Sequence, residues 1–592
     1  MAHPPLGLWR TAYRMGATAC SWTLPTTVRR WQARAMKSTM QTTPLLISTI
    51  LRYGTTVHAD QEIITWTGEG SRTMTFAELG TQAAQLAHAL RGLGITEDQR
   101  VGTFMWNNAE HTVAYLAVPS MGAVLHALNI RLFPPQIVYI ATHADNRVVI
   151  VDNSLAQPFS GLLPHLDTVR HVIVNGPIPP ETLAALQNAP QVEGVYDWAT
   201  LLADQPTTFD WPTDIDEDSA SSMCYTSGTT GHPKGVAYSH RSNYLHAASV
   251  PLALGVQQGD RMLTVVPLFH ANAWGFPYLA LLSGATLVMP DRFLQAEPLA
   301  KMIATERVTV GAGVPTIWND LLHYLDENAT DVSSCRMLMV GGSAAPPALM
   351  KEFQAKHGIQ IIHGWGMTEM SPVGSIAYPP VSAAEGSDEY WRYRTSQGRL
   401  LPGVDGRLVA PDGSYAPWDG VSVGELEVKG PWITGEYYHN GSESEFEKEE
   451  MAAKFSPDGW LRTGDVGTLT HDGFLVLTDR SKDVIKSGGE WISSVDLENS
   501  IMAHPDVREA CVVGVPDERW GERPLATVVL KDGATTTPEV FVAWLRDRMP
   551  HWMVPERWAF IGEVPKTSVG KFDKKVVRQH FADGQIDVHM TH

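Results

Sequence analysis

Eleven consecutive residues, Tyr225-Thr-Ser-Gly-Thr-Thr-Gly-His-Pro-Lys-Gly235, gather hydroxyls, glycines and one lysine in a pattern suited to cradling phosphate. Gly228 and the neighbouring glycines can take positive φ and turn backbone N–H groups toward an anion. Thr226, Ser227, Thr229 and Thr230 add neutral donors, and Lys234 adds a mobile cation. A plain surface turn would account for the glycines but not for the hydroxyls and the lysine together. The common Gly-x4-Gly-Lys-Ser/Thr loop cannot be threaded through this stretch, because Lys234 follows Pro233 and precedes Gly235.

The stretch resembles the signature loop of adenylate-forming enzymes, the superfamily of acyl-CoA synthetases, luciferases and stand-alone adenylation domains. Further segments match in the same order, from about residue 42 to about residue 580. Activating a carboxylic acid with ATP brings two anions together, so the site must supply positive charge and donors where charge builds up. The resemblance implies that Thr226, Ser227, Gly228, Thr229, Thr230 and Lys234 hold the β- and γ-phosphates. Gly364-Trp-Gly-Met-Thr-Glu369 resembles the second core motif of the family. There Trp365 would flank the adenine, beside the backbone of His363 and Gly364, with Gly366 and Met367 completing the wall. Thr368 would touch the α-phosphate. Glu369, with Thr226, would hold Mg²⁺, a hard cation suited to carboxylate and phosphate oxygens.

Trp460-Leu-Arg-Thr-Gly-Asp465 resembles the ribose-binding motif, in which Asp465 accepts both hydroxyls. Arg480, in Thr-Asp-Arg-Ser-Lys-Asp, resembles the arginine that also meets the nucleotide. Lys571, in Pro565-Lys-Thr-Ser-Val-Gly-Lys571, resembles the lysine that reaches between carboxylate and α-phosphate, where a compact mobile charge can neutralise the transition state. Lys566, Lys574 and Lys575 are expected to be solvated.

Thioester formation with coenzyme A would use another face of the C-terminal region. Lys482 stands where the family has its hinge. The run from Lys486 to Glu498 resembles fatty acyl-CoA synthetases in particular: Gly488 and Gly489 would leave room for a pantetheine arm, bordered by Glu490 and Trp491. The expected catalytic set is therefore Lys571, Thr226, Glu369 and Lys486. Val266-Pro-Leu-Phe-His-Ala-Asn-Ala-Trp-Gly275 resembles the acyl-site motif of bacterial medium- and long-chain fatty acyl-CoA ligases. His270 would sit near the acid's carboxylate, and Trp274 would be either the gate of a fatty-acid tunnel or simply core. The implied lining of Ala271, Ala273, Val314, Gly341, Gly342 and Met370 is apolar and offers no cation to a second carboxylate, which points to a hydrophobic monocarboxylic acid. Each buried CH₂ contributes about 0.8 kcal/mol, so four carbons add about 3 kcal/mol. The same subgroup includes ligases for short thioether acids such as 3-methylthiopropionate, so medium-chain, long-chain and thioether acids all remain open.

These side chains need a scaffold. Thr75-Phe-Ala-Glu78 predicts a capping box opening a helix with Phe76, Leu79, Ala83, Leu86 and Leu90 on its buried face. Short apolar runs at 101–106, 148–151, 172–174, 262–266, 285–289, 308–310, 337–340 and 359–362 alternate with helical stretches. That predicts α/β layering with substantially parallel sheets and ligands beyond the carboxyl ends of strands, at Asn175-Gly176, Gly341-Gly342 and His363-Gly364. Residues 210–218 read as a linker. The fold expectation is a large N-terminal adenylate-forming domain with layered mixed and parallel sheets over 40–480. A small mobile α+β C-terminal domain follows over 481–592, with strands at 510–515 and 525–529 and a helix announced by Thr537-Pro538-Glu539.

At 592 residues two or more domains are expected. A net charge of −19 argues against nucleic acid or anionic membrane as the main partner, and no apolar run approaches a membrane span. Cys20, Cys224, Cys335 and Cys511 are scattered without metal-ligand spacing, which fits a reducing cytoplasm, and Cys224 reads as core. No acidic residue precedes Asp60, whereas seven basic ones do, from Arg10 to Arg52. Such a lead suits a mitochondrial transit peptide and hence the matrix, but an upstream start codon read in place of Met36 or Met40 is preferred, leaving 1–39 outside the fold. The leading expectation is an AMP-forming acyl-CoA ligase, a homodimer by analogy. The alternatives are delivery of the acyl-adenylate to a separate carrier protein, or a non-catalytic scaffold that would have lost Lys571, Glu369 or Asp465.

Overall fold

The computed structural model describes residues 38–226, 232–480, 483–487, 490–567 and 570–591, with backbone only at 490 and 491. Ser227, Gly228, Thr229, Thr230, Lys482, Gly488 and Gly489 lie outside the described residues, as do the side chains of Glu490 and Trp491. The chain divides into two compact units, Met1–Thr43 and Pro44–His592. The described part of the first, 38–43, carries no helix or strand. Everything below concerns the second.

Its larger part layers helices on two sheets. The seven-stranded sheet runs Gly194–Asp197, His171–Asn175, Asn146–Asp152, Arg100–Phe104, Val124–Ala127, Ala220–Tyr225, Gly235–Ser239. Every neighbouring pair is parallel except the last, which is antiparallel. That final hairpin presents the phosphate-type loop. Its base is closed by the Thr226 amide donating to the Lys234 carbonyl at 2.9 Å, and by the Lys234 amide donating to the Thr226 hydroxyl at 3.1 Å. The parallel strands are Val- and Ile-rich because both faces are covered.

The fourteen-stranded sheet joins a half that is parallel except for its antiparallel edge strand Ser71–Thr75 to an antiparallel half, and the two meet in one strand, Gln360–Gly366. His363 pairs with Val340 in parallel register, and Gly364 pairs with Ile376 in antiparallel register. The sequence suggested an end at His363-Gly364, but the strand continues to Gly366. Glycine makes the crossing possible: a Cβ at 364 would lie 2.8 Å from Met339 Cε, and one at 366 would lie 1.9 Å from the Pro372 carbonyl oxygen. Two other boundaries shift. The run at 101–106 is strand only to Phe104, and that at 308–310 begins at Val310, after Arg307 turns the chain at φ 52°.

The capping box at Thr75 is present in both directions, and all five predicted face residues are buried. The small C-terminal α+β part packs helices Ser494–Met502, Pro538–Arg546 and Lys574–Ala582 on a six-stranded sheet. Its core includes Ile485, Ile501, Val512, Val528 and Leu545, with Phe541 stacked on Trp558 at 5.4 Å. Of the three lysines expected to be solvated, Lys575 is exposed. Lys566 bridges Glu509 at 2.9 Å and Glu563 at 3.1 Å. Lys574 is drawn inward to Glu498 at 2.9 Å and to the Ser494 hydroxyl. Glu563 is a sequence neighbour of Lys566, whereas Glu509 and Glu498 reach their lysines only through the fold.

Candidate active site

Beyond the carboxyl ends of the parallel strands lie two adjoining cavities of about 330 and 280 Å³. The smaller is lined by Thr226, His232 and Lys234 of the hairpin, by His270, Ala271 and Trp274, by Gly341 and Gly342, and by 364–369, Tyr437, Glu450, Lys454, Arg480 and Lys571. The larger continues over Gly342, Ser343, His363, Trp365, Asp465, Arg480 and Lys571. Segments up to 345 residues apart in sequence, Thr226 to Lys571, thus converge on one space.

Asp465 is almost wholly buried. It accepts the Trp365 indole N–H at 2.7 Å and pairs with Arg480 at 3.2 Å, which leaves each oxygen a further lone pair. The Asp465 charge raises the Arg480 guanidinium pKa, against the effect of burial. Glu369 is buried too and accepts the Tyr437 hydroxyl at 2.6 Å. Its backbone carbonyl accepts from the Thr434 amide, and that of Thr368 accepts from the Tyr238 hydroxyl, both at 2.8 Å. Burial and the Glu369 charge push Tyr437 far up, so it stays a donor. Lys234 pairs with Glu450 at 2.8 Å, above the Tyr437 ring.

Lys571 reaches this site from the small C-terminal part. Its Cε lies 2.8 Å from where a Cβ would stand on Gly342, so its chain runs through the space that a missing side chain leaves. Burial, then the Arg480 charge, lower its pKa to about 8, with Asp465 and Glu369 acting the other way. His270 is pushed down to about 3, by burial first and the Lys571 charge second, and is a neutral imidazole.

The acyl-site motif folds in an unusual way. Ala271, Asn272, Ala273 and Trp274 all take left-handed φ, between 44° and 56°, before Gly275 at 80°. Each such residue costs about 1–2 kcal/mol. Offsetting contacts come from the buried Asn272 amide, which donates to Ser222 and Asn243 at 3.3 Å. The turn lays the Trp274 ring over Gly341, where an added Cβ would stand 2.9 Å from it. Trp274 both lines the cavity and joins the apolar cluster of Met339, Met370 and Trp365.

Of the implied acyl lining, Ala271, Gly341 and Gly342 face the cavity, whereas Ala273, Val314 and Met370 line neither space. The left-handed turn sends Ala273 into the core, Met370 fills the place beside Gly374, and Val314 packs toward Gly570. Met339 and Val373 stand in the cavity wall instead. Lys486 is exposed and also lines neither cavity. Cys224 is buried core, its thiol pushed up to about 11 by desolvation. Sequence reasoning missed Tyr437, Tyr238, Glu450 and Lys454, which lie outside any recognised motif, and Asn272, which sits inside one. Only a polar residue in an otherwise apolar Ala-Asn-Ala-Trp run signalled the last.

Fold and site together define an adenylate-forming enzyme. The chain matches the AMP-binding enzyme family over residues 52–438 and the AMP-binding enzyme C-terminal domain over 496–571, and it belongs to that family. It is 40% identical over 552 residues to the 3-methylmercaptopropionyl-CoA ligase of Ruegeria lacuscaerulensis, covering 93% of this chain and 99% of that one. It is 39% identical over 554 residues to the long-chain-fatty-acid–CoA ligase of Thermus thermophilus, covering 92% and 97%. The solved structure of the anthranilate CoA ligase AuaEII with anthranoyl-AMP superposes with a TM-score of 0.80 at 27% identity, over 93% of this chain and all of that one. The protein is an AMP-forming acid–CoA ligase. Among the described residues no helix is long and apolar enough to cross a membrane.

Proposed function

We propose that the protein joins a hydrophobic monocarboxylic acid to coenzyme A through an acyl-adenylate made from ATP. The observation that carries this is the convergence of Lys571, Arg480 and Glu369 on the cavity that Thr226, Lys234 and Trp274 also line, with Asp465 paired to Arg480 in the adjoining cavity. Asp465 has lone pairs left for the ribose hydroxyls, and Trp365, fixed by its bond to Asp465, forms a flat wall for the base. Lys234 can exchange Glu450 for a phosphate. Lys571 neutralises charge as the carboxylate attacks the α-phosphorus, and neutral His270 hydrogen-bonds without repelling Lys571. Glu369, with Thr226, suits a magnesium ion that shares its shell with phosphate: one carboxylate oxygen accepts from Tyr437, and both residues line the cavity. Such an ion would screen the triphosphate. Division near residue 480, with Lys482 as hinge and a homodimer, completes the reading. Lys486 and 488–491 would meet the pantetheine after the small domain turns.

On the acid, the Trp274 ring over Gly341 is a bulky wall of the cavity. This favours short unbranched acids, of which 3-methylthiopropionate is one. Fatty acids are the second reading, supported by the Thermus relative, and they require the Trp274 ring to swing away. The test is AMP release with ATP, Mg²⁺ and coenzyme A across acids from acetate to palmitate, plus 3-methylthiopropionate and benzoate. The expected kcat/KM rises about fourfold per CH₂ up to the wall and then levels. A continued rise to palmitate selects the fatty-acid reading. Turnover indifferent to coenzyme A refutes the ligase in favour of a carrier-protein acceptor.

A further inference from the structure

Lys571 can occupy the cavity only if the small C-terminal part is held in one orientation, and the desolvation of its ammonium, which lowers its pKa, resists that placement. Something must compensate. The contacts that join the two parts near the connection at 480–483 are specific. Asp479, at the end of strand Phe474–Arg480 of the large sheet, is almost wholly buried and accepts the Ser494 amide at 2.8 Å. It also accepts the Ser494 hydroxyl. Ser494 is the first residue of helix Ser494–Met502, where an amide has no partner within its own helix and a carboxylate is favoured by the helix dipole. Beside it, the Ser493 hydroxyl donates to the Thr478 carbonyl at 2.7 Å.

The relay continues inward. The Ser494 hydroxyl that donates to Asp479 accepts from the Lys574 ammonium, which is anchored on Glu498 at 2.9 Å. Lys574 stands three residues beyond Lys571 on the same segment. Asp479 therefore grips the segment that carries Lys571 through one serine. Lys574, Ser494 and Glu498 all belong to the C-terminal part, so a turn of that part as a body would keep their mutual contacts and break only those to Asp479 and Thr478.

We propose that Asp479, acting through Ser494 and Lys574, is the positioning residue that holds Lys571 in the cavity, and that this contact is made in the adenylating orientation alone. It rests on the ligase reading for its kinetic consequence, but not for its structural one. Asp479 touches no reacting atom; its effect is on where Lys571 stands.

The experiment uses the full chain with Asp479→Ala, and Asp479→Asn as the gentler variant. Amide hydrogen exchange on the ligand-free protein should show faster exchange at Ser494 and at Gly570 and Lys571 in the variants, with the remaining C-terminal sheet unchanged. Kinetically, acid-dependent pyrophosphate release should fall about tenfold, equivalent to ~1.4 kcal/mol. Thioester formation from supplied acyl-adenylate and coenzyme A should stay within about twofold. In a Lys571→Ala background, Asp479→Ala should cost adenylation almost nothing further, because both act on one group. Unchanged exchange at Ser494 overturns the proposal, as does an equal loss in both half-reactions. A wild-type protein for which none of the acids tested yields an acyl-adenylate would sink the ligase reading instead, and the exchange result then decides the latch alone.

Discussion

Gly342→Ala separates stability from catalysis in this site. Gly342 has φ +83°, and an added Cβ would stand 2.8 Å from Lys571 Cε, 3.4 Å from its Nζ and 3.8 Å from Val314 Cγ1. Carbon atoms rest at about 3.5–4.0 Å, so the end of Lys571 must withdraw by about 0.7–1.2 Å. That end is flexible, so the clash itself costs the fold little; the left-handed backbone costs an alanine about 1–2 kcal/mol. Chemistry is less forgiving. A displacement of about 1 Å in a group that must meet the reacting atoms costs on the order of a hundredfold. The assay is acid-dependent pyrophosphate release in wild type, Gly342→Ala, Lys571→Ala and the double variant. The single alanine at 342 should lower adenylation by about two orders of magnitude. Added to Lys571→Ala it should change the residual rate by less than about twofold, since its target is already gone. A full further loss in the double variant would show that the methyl group acts on substrate rather than on Lys571, and the reasoning would fall.

The lowered Lys571 pKa sets a pH limb. In the free enzyme kcat/KM for ATP should fall above about pH 8 as the ammonium is lost, and Lys571→Ala should abolish that limb; a profile flat to pH 9.5 would contradict it. The stability effect has the opposite sense. Because Lys571 binds its proton less tightly folded than unfolded, its contribution to stability should rise between about pH 8 and about pH 10.5, a trend in denaturant midpoint that Lys571→Ala removes. Tyr437→Phe deletes the donor that holds Glu369. With a bond of about 1 kcal/mol lost, half-maximal Mg²⁺ should rise about fivefold while KM for the acid stays put; the reverse pattern would place Tyr437 at the acid instead.

The parallel half of the scaffold was legible because its strands are continuous apolar runs bounded by turn residues, and runs such as Met337–Val340 need no partner to be recognised. The antiparallel half from Val373 to Arg480 was not. Strands such as Gly424–Lys429 and Asp405–Val409 are short, carry charged residues and gain their identity from cross-strand register. In the site, contiguous motifs were readable, whereas Tyr437, Tyr238 and Glu450 reach it by tertiary approach. The left-handed run at 271–274 was invisible for a different reason. Three of its four residues gain nothing locally from positive φ, so the conformation is imposed by the Asn272 network beneath and Gly341 above.

Lys486 marks a limit of another kind. Its motif was as plain as that around Lys571, yet Lys571 fills the cavity while Lys486 is exposed and lines no part of it. Both sit on one small body, and the orientation described presents Lys571, not Lys486, to the large sheets. On the proposed function the sequence carries groups for two half-reactions at equal strength and says nothing of which is docked. What decides is the balance at the seam. Burying the Lys571 ammonium disfavours this orientation, and the Asp479 contact to the first turn of helix Ser494–Met502, with Lys574 behind it, favours it. The neutralising need of a bound triphosphate adds to the second side. On the proposed function, release of pyrophosphate would take that addition away, so the charge that serves adenylation would also favour withdrawal of Lys571 afterwards.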